Sequence, residues 1–226
     1  MKKSRALSLL RLAAACAHAP AQSTNANAPA SEPVTRVFKD GVLVSKELPA
    51  VRVGVDKAFK YLGGQSFILY GVARAEQHFF VDADKDGRVR RLYWLQFEGY
   101  LPNNTHSYNY KSDTKVNLGG LEFMADSHPA NLAAMPPRPD SDGARARAFL
   151  AAKGFRTASD DILLQRLIHL ADATRRSELL VIYVEDLAGT GLTAADLSPG
   201  GSAAARWPER SKALLERATK GLTITR

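Results

Sequence analysis

Residues 65–101, QSFILYGVARAEQHFFVDADKDGRVRRLYWLQFEGYL, decide the fold. Two aromatic and β-branched runs, 65–81 and 88–101, flank the acidic stretch Asp82-Ala83-Asp84-Lys85-Asp86-Gly87. Side chains of this kind fit a pleated, half-buried surface, so both runs are predicted strands. The stretch between them is a predicted turn, because Asp bonds its own backbone and Gly accepts positive φ. A simple antiparallel register places Asp82 opposite Arg88. One face of the hairpin then carries Phe67, Ala75, Phe79 and Val81 with Tyr93, Leu95 and Phe97, and is the expected core face. The other carries Tyr70, Arg74, Glu76 and His78 with Trp94, Gln96, Glu98 and Tyr100.

That second face mixes ionisable groups with large rings. Apolar walls with a few converging polar groups are what a ligand cleft offers. Arg74 is the candidate to hold an anionic group, and Glu76 or Glu98 to orient it or a water. Trp94, Tyr70 and Tyr100 are candidate packing surfaces. The competing expectation is a solvated sheet face. A histidine flanked by Phe79 and Phe80, as His78 is, is also the pattern of a packed ring.

Working outward, "TRVFKDGVLVSKE" (35–47) predicts a hairpin about Asp40-Gly41, and "PAVRVGV" (49–55) alternates again. "KAFKYLGG" (57–64) is read as ending in a Gly63-Gly64 turn. "HSYNYKSD" (106–113) and "GLEFMA" (120–125) extend the β pattern. Twelve of the 18 aromatic residues lie between Phe59 and Tyr110, which marks this region as the packing centre. Residues 126–141 form a proline-rich crossing. Helices are predicted at 143–153, capped by Ser141 or Asp142, and at 160–173, "DDILLQRLIHLADA", whose Ile162, Leu163, Leu167 and Leu170 recur at helical spacing. "ELLVIYVED" (178–186) reads as a central strand. "LTAADL" (192–197) reads as a helical turn, "PERSKALLERATK" (208–220) as a last helix ended by Gly221, and "LTIT" (222–225) as a short strand. The expected class is α+β: a curved antiparallel β meander over 34–125, then a mainly helical 142–226 packed on one face, with one further strand between the C-terminal helices. All of 34–226 reads as one domain.

Residues 1–21 read as an export signal: Lys2, Lys3 and Arg5, an apolar stretch to Ala17, and an A-x-A pattern at Ala19 and Ala21. Residues 22–33 read as a flexible linker. Cys16, the single cysteine, sits in "LAAAC", which resembles the end of a bacterial lipoprotein signal and makes Cys16 a lipidation candidate. Beyond it no cysteine remains for disulfides or thiolate chemistry. Loss of the four basic residues of the leader, with no acid, halves the formal charge from +8 to +4. No dense basic stripe is left to bind nucleic acid. A periplasmic or secreted protein is expected.

Asp82, Asp84, Asp86 and Gly87 fit positions one, three, five and six of a calcium loop and resemble the first half of an EF-hand. Tyr93 stands where the closing glutamate belongs. A hairpin turn is therefore expected, with calcium the alternative and no other cofactor. The chain has no G-x-S-x-G, H-E-x-x-H, G-x-G-x-x-G or phosphate-binding loop motif. The function expected is an exported envelope binding or accessory domain, taking a small amphipathic or anionic molecule or an envelope protein. The alternatives are a hydrolase using His78 with Glu76 or Glu98, and a purely structural interaction protein.

Overall fold

A computed structural model describes residues 32–134 and 138–226. The proposed leader, Cys16 and most of the linker lie outside the described residues. The chain is predominantly antiparallel β with few helices, a composition compatible with α+β.

The strands β1 (Val37–Lys39), β2 (Val42–Ser45) and β3 (Val51–Val55) begin a small sheet. The long strands β4 (Lys60–Leu69), β5 (Ala73–Ala83) and β6 (Arg88–Tyr100) begin a large one, which β7 (Thr114–Leu118) and β8 (Leu121–Asn131) continue. Helix α1 (Asp142–Ala152) follows, its first turn capped by Ser141 Oγ, which accepts from Ala144 N at 3.1 Å. Then come β9 (Arg156–Thr157), β10 (Asp161–Leu170), β11 (Ser177–Asp186), α2 (Ala194–Leu197), α3 (Trp207–Lys220) and β12 (Leu222–Thr225). The large sheet runs β4-β5-β6-β11-β10-β8-β7, and β9 adds a short parallel pairing to β6. The small sheet runs β1-β2-β3-β12.

The large sheet is covered on both sides. Leu43, Val51 and Val53 of the small sheet and Leu214 and Ala218 of α3 meet Tyr93, Leu95 and Phe97 in one core. Ala146, Phe149 and Leu150 of α1 meet Phe79, Leu92 and Ile182 in a second core on the opposite side. We call these the small-sheet side and the α1 side. The helices therefore divide between the two sides instead of sharing one, because both faces of the long strands are apolar and each needs a cover.

Four sequence expectations are corrected. Residues 161–170 are a strand, not a helix. β10 lies between β8 and β11 with both faces covered, so apolar residues fall on both faces around Gln165, Arg166 and His169, and helical spacing emerges by coincidence. The 142–226 region is thus not mainly helical. Residues 65–81 are not one strand: the chain reverses at Tyr70-Gly71, whose φ values of 50° and 72° are those of a tight hairpin turn. Gly63-Gly64 is not a turn but lies inside β4 at a register shift. A Cβ on Gly64 would come within 2.7 Å of His78 Nδ1, so glycine lets β4 close over that ring. Residues 101–113 carry neither strand nor helix, whereas β8 extends through Pro129 to Asn131.

The fifth correction matters most to function. β5 and β6 pair as Ala73 with Tyr100, Phe79 with Trp94 and Asp82 with Arg91, not Asp82 with Arg88. The register then shifts to Ala83 with Val89, which leaves Arg90 as a bulge. An offset of three residues is odd, so the side chains of β6 from Arg91 to Tyr100 move to the face opposite the one expected, while Val89, on the other side of the bulge, stays with Val81.

Candidate functional site

The register divides the eight sequence-selected residues among three places. Arg74, Glu76 and His78 point to the small-sheet side, together with Tyr93, Leu95 and Phe97. Trp94, Gln96, Glu98 and Tyr100 point to the α1 side, with Gln77 and Phe79. Tyr70 sits on the β4–β5 turn, half exposed, with the Arg138 guanidinium 5.7 Å from its ring centre. The expected single face is therefore not formed.

On the small-sheet side Glu76 and His78 lie in a closed network. His78 Nε2 is 2.8 Å from Glu76 Oε1, and the Tyr61 hydroxyl is 2.9 Å from His78 Nδ1. Glu76 Oε1 also accepts from Arg36 N at 2.8 Å. Its Oε2 accepts from Thr35 N, Thr35 Oγ1 and Arg36 Nη1 at 3.0, 2.9 and 3.0 Å. Burial alone would raise the Glu76 carboxyl. The bonds from His78, Thr35 and Arg36, and the Arg36 charge, outweigh it and bring the carboxyl down to about 2. Burial and the Glu76 charge push the Tyr61 hydroxyl up to about 12. His78 has both ring nitrogens engaged and 0 % exposure. It is held next to a carboxylate, as acid–base chemistry requires, but has no face open to a substrate. The network clamps residues 35 and 36 to the sheet.

On the α1 side a row of amides crosses three strands. Gln65 Nε2 donates to Gln77 Oε1 at 2.8 Å, Gln77 Nε2 to Gln96 Oε1 at 2.8 Å, and Gln96 Nε2 to Glu98 Oε2 at 2.6 Å. Glu98 lies directly opposite Glu178 of β11. The Tyr108 hydroxyl donates to Glu98 Oε1 at 2.8 Å and the Tyr110 hydroxyl to Glu178 Oε1 at 3.1 Å. Tyr100, Tyr108 and Tyr110 stack, with ring centres 4.6 and 6.0 Å apart. Burial, and then the Glu98 charge, push the Glu178 carboxyl up to about 8. Burial also raises Glu98, against the bonds from Tyr108 and Gln96. Glu178 Oε2 and Trp94 Nε1 are buried without a hydrogen-bond partner among the described residues.

Among several surface clefts, which include larger ones of about 540 and 770 Å³ flanking the acidic turn, one of about 390 Å³ lies at the end of the sheet where β5 begins and β6 ends. Its walls include Leu48, Phe97, Leu101 and Pro102, and its polar members include Arg36, Arg74 and Ser177. Arg74 is opposite Gly99, whose missing side chain leaves the floor open between Arg74 and Ser177. Arg74 Nη2 meets Glu32 Oε2 at 3.0 Å, with the arginine side chain 48 % exposed. Arg36 stands with its guanidinium 4.2 Å from the Phe97 ring centre. Leu48 is 51 % exposed, which is high for a leucine beside a cleft. Of the eight candidates, Arg74, Glu98 and Tyr100 border this cleft.

The acidic turn uses its own oxygens. Asp84 Oδ1 accepts from Asp86 N and Arg88 N at 2.9 and 3.0 Å, and those bonds hold its carboxyl below the usual range. Asp82 pairs with Arg90 and Arg91, both at 2.7 Å. Among the described residues no group of three or more His, Cys, Asp or Glu is arranged to hold a metal ion.

Sequence reasoning selected Gln96 but missed Arg36, Glu178, Gln65 and Gln77. Glu178 carried a signal, since it stands at the head of the apolar run ELLVIYV, where a buried carboxyl needs partners. Arg36, next to an exposed-looking hairpin, carried none. Comparison with family models, with curated proteins and with solved structures finds no match to this chain.

Proposed function

We propose that this chain is an exported binding or accessory domain of a bacterial envelope, and that the end cleft takes a small amphipathic anion through Arg74. One observation carries the reading: a half-exposed guanidinium stands beside an apolar wall of Phe97, Leu101 and Leu48. A guanidinium offers paired donors to a carboxylate or phosphate, and the wall suits a hydrocarbon body. Glu32 now holds a carboxylate against Arg74, the group an anionic ligand would replace. The basic and apolar start of the chain supports export. The hydrolase alternative gains the Glu76–His78 contact but loses access, and Glu98 lies on the other side of the sheet.

Calorimetric titration with decanoate tests the reading. A dissociation constant below about 1 mM, weakened at least tenfold in Arg74→Ala, is expected. No heat, or heat unchanged by Arg74→Ala, overturns the small-anion ligand. Mass spectrometry of the processed N-terminus, after expression with the leader in a bacterial host, tests export: a start at Gln22 or a lipidated Cys16 supports it, and an intact Met1 refutes it.

A further inference from the structure

Glu98 and Glu178 are direct cross-strand neighbours on the α1 side of the large sheet. Like charges at directly opposed positions repel, and burial strengthens the repulsion. Every element packed against the pair bears on its charge. From the 101–113 strap come the Tyr108 and Tyr110 hydroxyls. Tyr100 of β6 stacks on Tyr108, with Arg176 5.9 Å from its ring centre. From α1 comes Asp142, whose charge raises both carboxyls. From β10 comes Arg166, whose charge lowers the Glu178 carboxyl and opposes the other effects, although its guanidinium bonds Asp126 of β8 at 2.8 and 2.6 Å. Among the described residues no cation is hydrogen-bonded to the pair.

The hydrogen bonds also assign one charge. Both oxygens of Glu98 accept, from Gln96 at 2.6 Å and from Tyr108 at 2.8 Å, and the amide row behind Gln96 fixes that direction. This is the environment of an ionised carboxylate. Glu178 has one oxygen under Tyr110 and the other buried with no partner among the described residues, the environment of a carboxyl that keeps its proton.

The cover over the pair is its least secured neighbour. Residues 101–113 have no ladder of their own. The strap is held by Leu101 N donating to Val72 O at 2.9 Å, by Tyr108 N donating to Arg175 O at 2.8 Å, by Arg176 donating to Leu101 O and His106 O at 2.9 and 3.1 Å, and by the buried Tyr108 ring. Ser112 Oγ donates to Ala125 O near its far end. By contrast α1 is seated by Ala146, Phe149 and Leu150 in a hydrophobic core.

We propose that the 101–113 strap is a proton-dependent latch, closed by Tyr108 and Tyr110 on a Glu98–Glu178 pair that shares one negative charge and lifted when the pair gains the second. The rise of the Glu178 carboxyl to about 8 sets the range in which this happens. Burial holds both tyrosine hydroxyls far above their ordinary value, so they remain donors throughout. Leu101 and Pro102 belong both to the strap and to the wall of the end cleft, so opening the latch reshapes that wall.

Hydrogen exchange read by mass spectrometry, corrected for the intrinsic pH dependence of exchange, tests the latch on the purified chain at pH 6 and pH 9.5. The peptide covering 103–112 is expected to lose protection at least tenfold at the higher pH, while β11 keeps its own. Glu178→Gln and Glu98→Gln are each expected to hold the strap protected at both pH values, with β11 protection reporting that the variant folds. Strap protection that is unchanged in the unmodified chain overturns the proposal. So does loss that spreads equally to β11, or a loss that persists in both variants.

Discussion

The two sides of the large sheet bury acids in opposite ways. On the small-sheet side one carboxylate, Glu76, is surrounded by donors and a guanidinium and stays ionised down to about 2. On the α1 side two carboxyls face each other without a hydrogen-bonded cation among the described residues, and Glu178 holds its proton up to about 8. Desolvation acts on both. What differs is the company: at Glu76 donors and a guanidinium outweigh desolvation, whereas at Glu178 the Glu98 charge adds to it. One side is stiffened by its acid and the other is made responsive by its acids.

The most disruptive way to break this contrast is Glu76→Ala. It leaves Arg36 and His78 buried without their common partner, and removing one member of a buried ion pair costs about 3–5 kcal/mol. A urea midpoint far below that of the unmodified chain is expected; a midpoint within error of it would refute the clamp.

Next in size is the pH profile of the thermal midpoint. The folded-state value of Glu76 is depressed from 4.5 to about 2, so its stabilisation is complete above about 4.5 and is lost as pH falls towards 2. Glu178 is raised from 4.5 to about 8. The folded chain there binds more protons than the unfolded chain, and stability falls as pH rises between those values. Scanning calorimetry from pH 2 to pH 10 should show stability declining on both flanks, and Glu178→Gln should remove the decline on the alkaline one. At pH 9 that variant should melt roughly 3–8 °C above the unmodified chain, and at pH 4 within a degree or so of it. An equal shift at both pH values would contradict the assignment of the proton to Glu178.

Arg74→Ala should change stability by less than about 1 kcal/mol, since its pairing with Glu32 is half exposed. Chemical denaturation measures this, and a larger loss would make Arg74 part of the frame and not of a site. Asp84→Ala should lower the melting temperature only slightly, by removing the acceptor for Asp86 N and Arg88 N. A calcium-induced rise in melting temperature that disappears in this variant would instead assign the turn to metal binding.

Much of the fold was legible where a turn, a cap or an unbroken apolar run marks the element. The Asp40-Gly41 hairpin, the strand at 178–186, the Ser141 cap and the helix before Gly221 all follow from local chemistry. Legibility failed at β10, where burial on two sides erased periodicity and Gln165, Arg166 and His169 break up the kind of unbroken apolar run that marks β11. β10 has Ile162 and Leu164 on the α1 side and Leu163 and Leu167 on the small-sheet side, so neither a period of two nor one of 3.6 is informative. Of the candidate site, the residue types were visible but not their company. A bulge at Arg90 and an odd offset separated Glu76 and His78 from Trp94, Gln96 and Glu98. Composition does not encode that parity; the turn geometry does, through Asp84 N bonding Arg88 O and Gly87 N bonding Asp84 O.

The small sheet joins β3 to β12, two strands from opposite ends of the described chain. Val53 and Ile224, buried side by side, cannot meet until nearly everything between them has been delivered. The β3 edge of the small sheet therefore stays open until residues 222–225 are available, and β12 closes it only after every strand of the large sheet has been supplied.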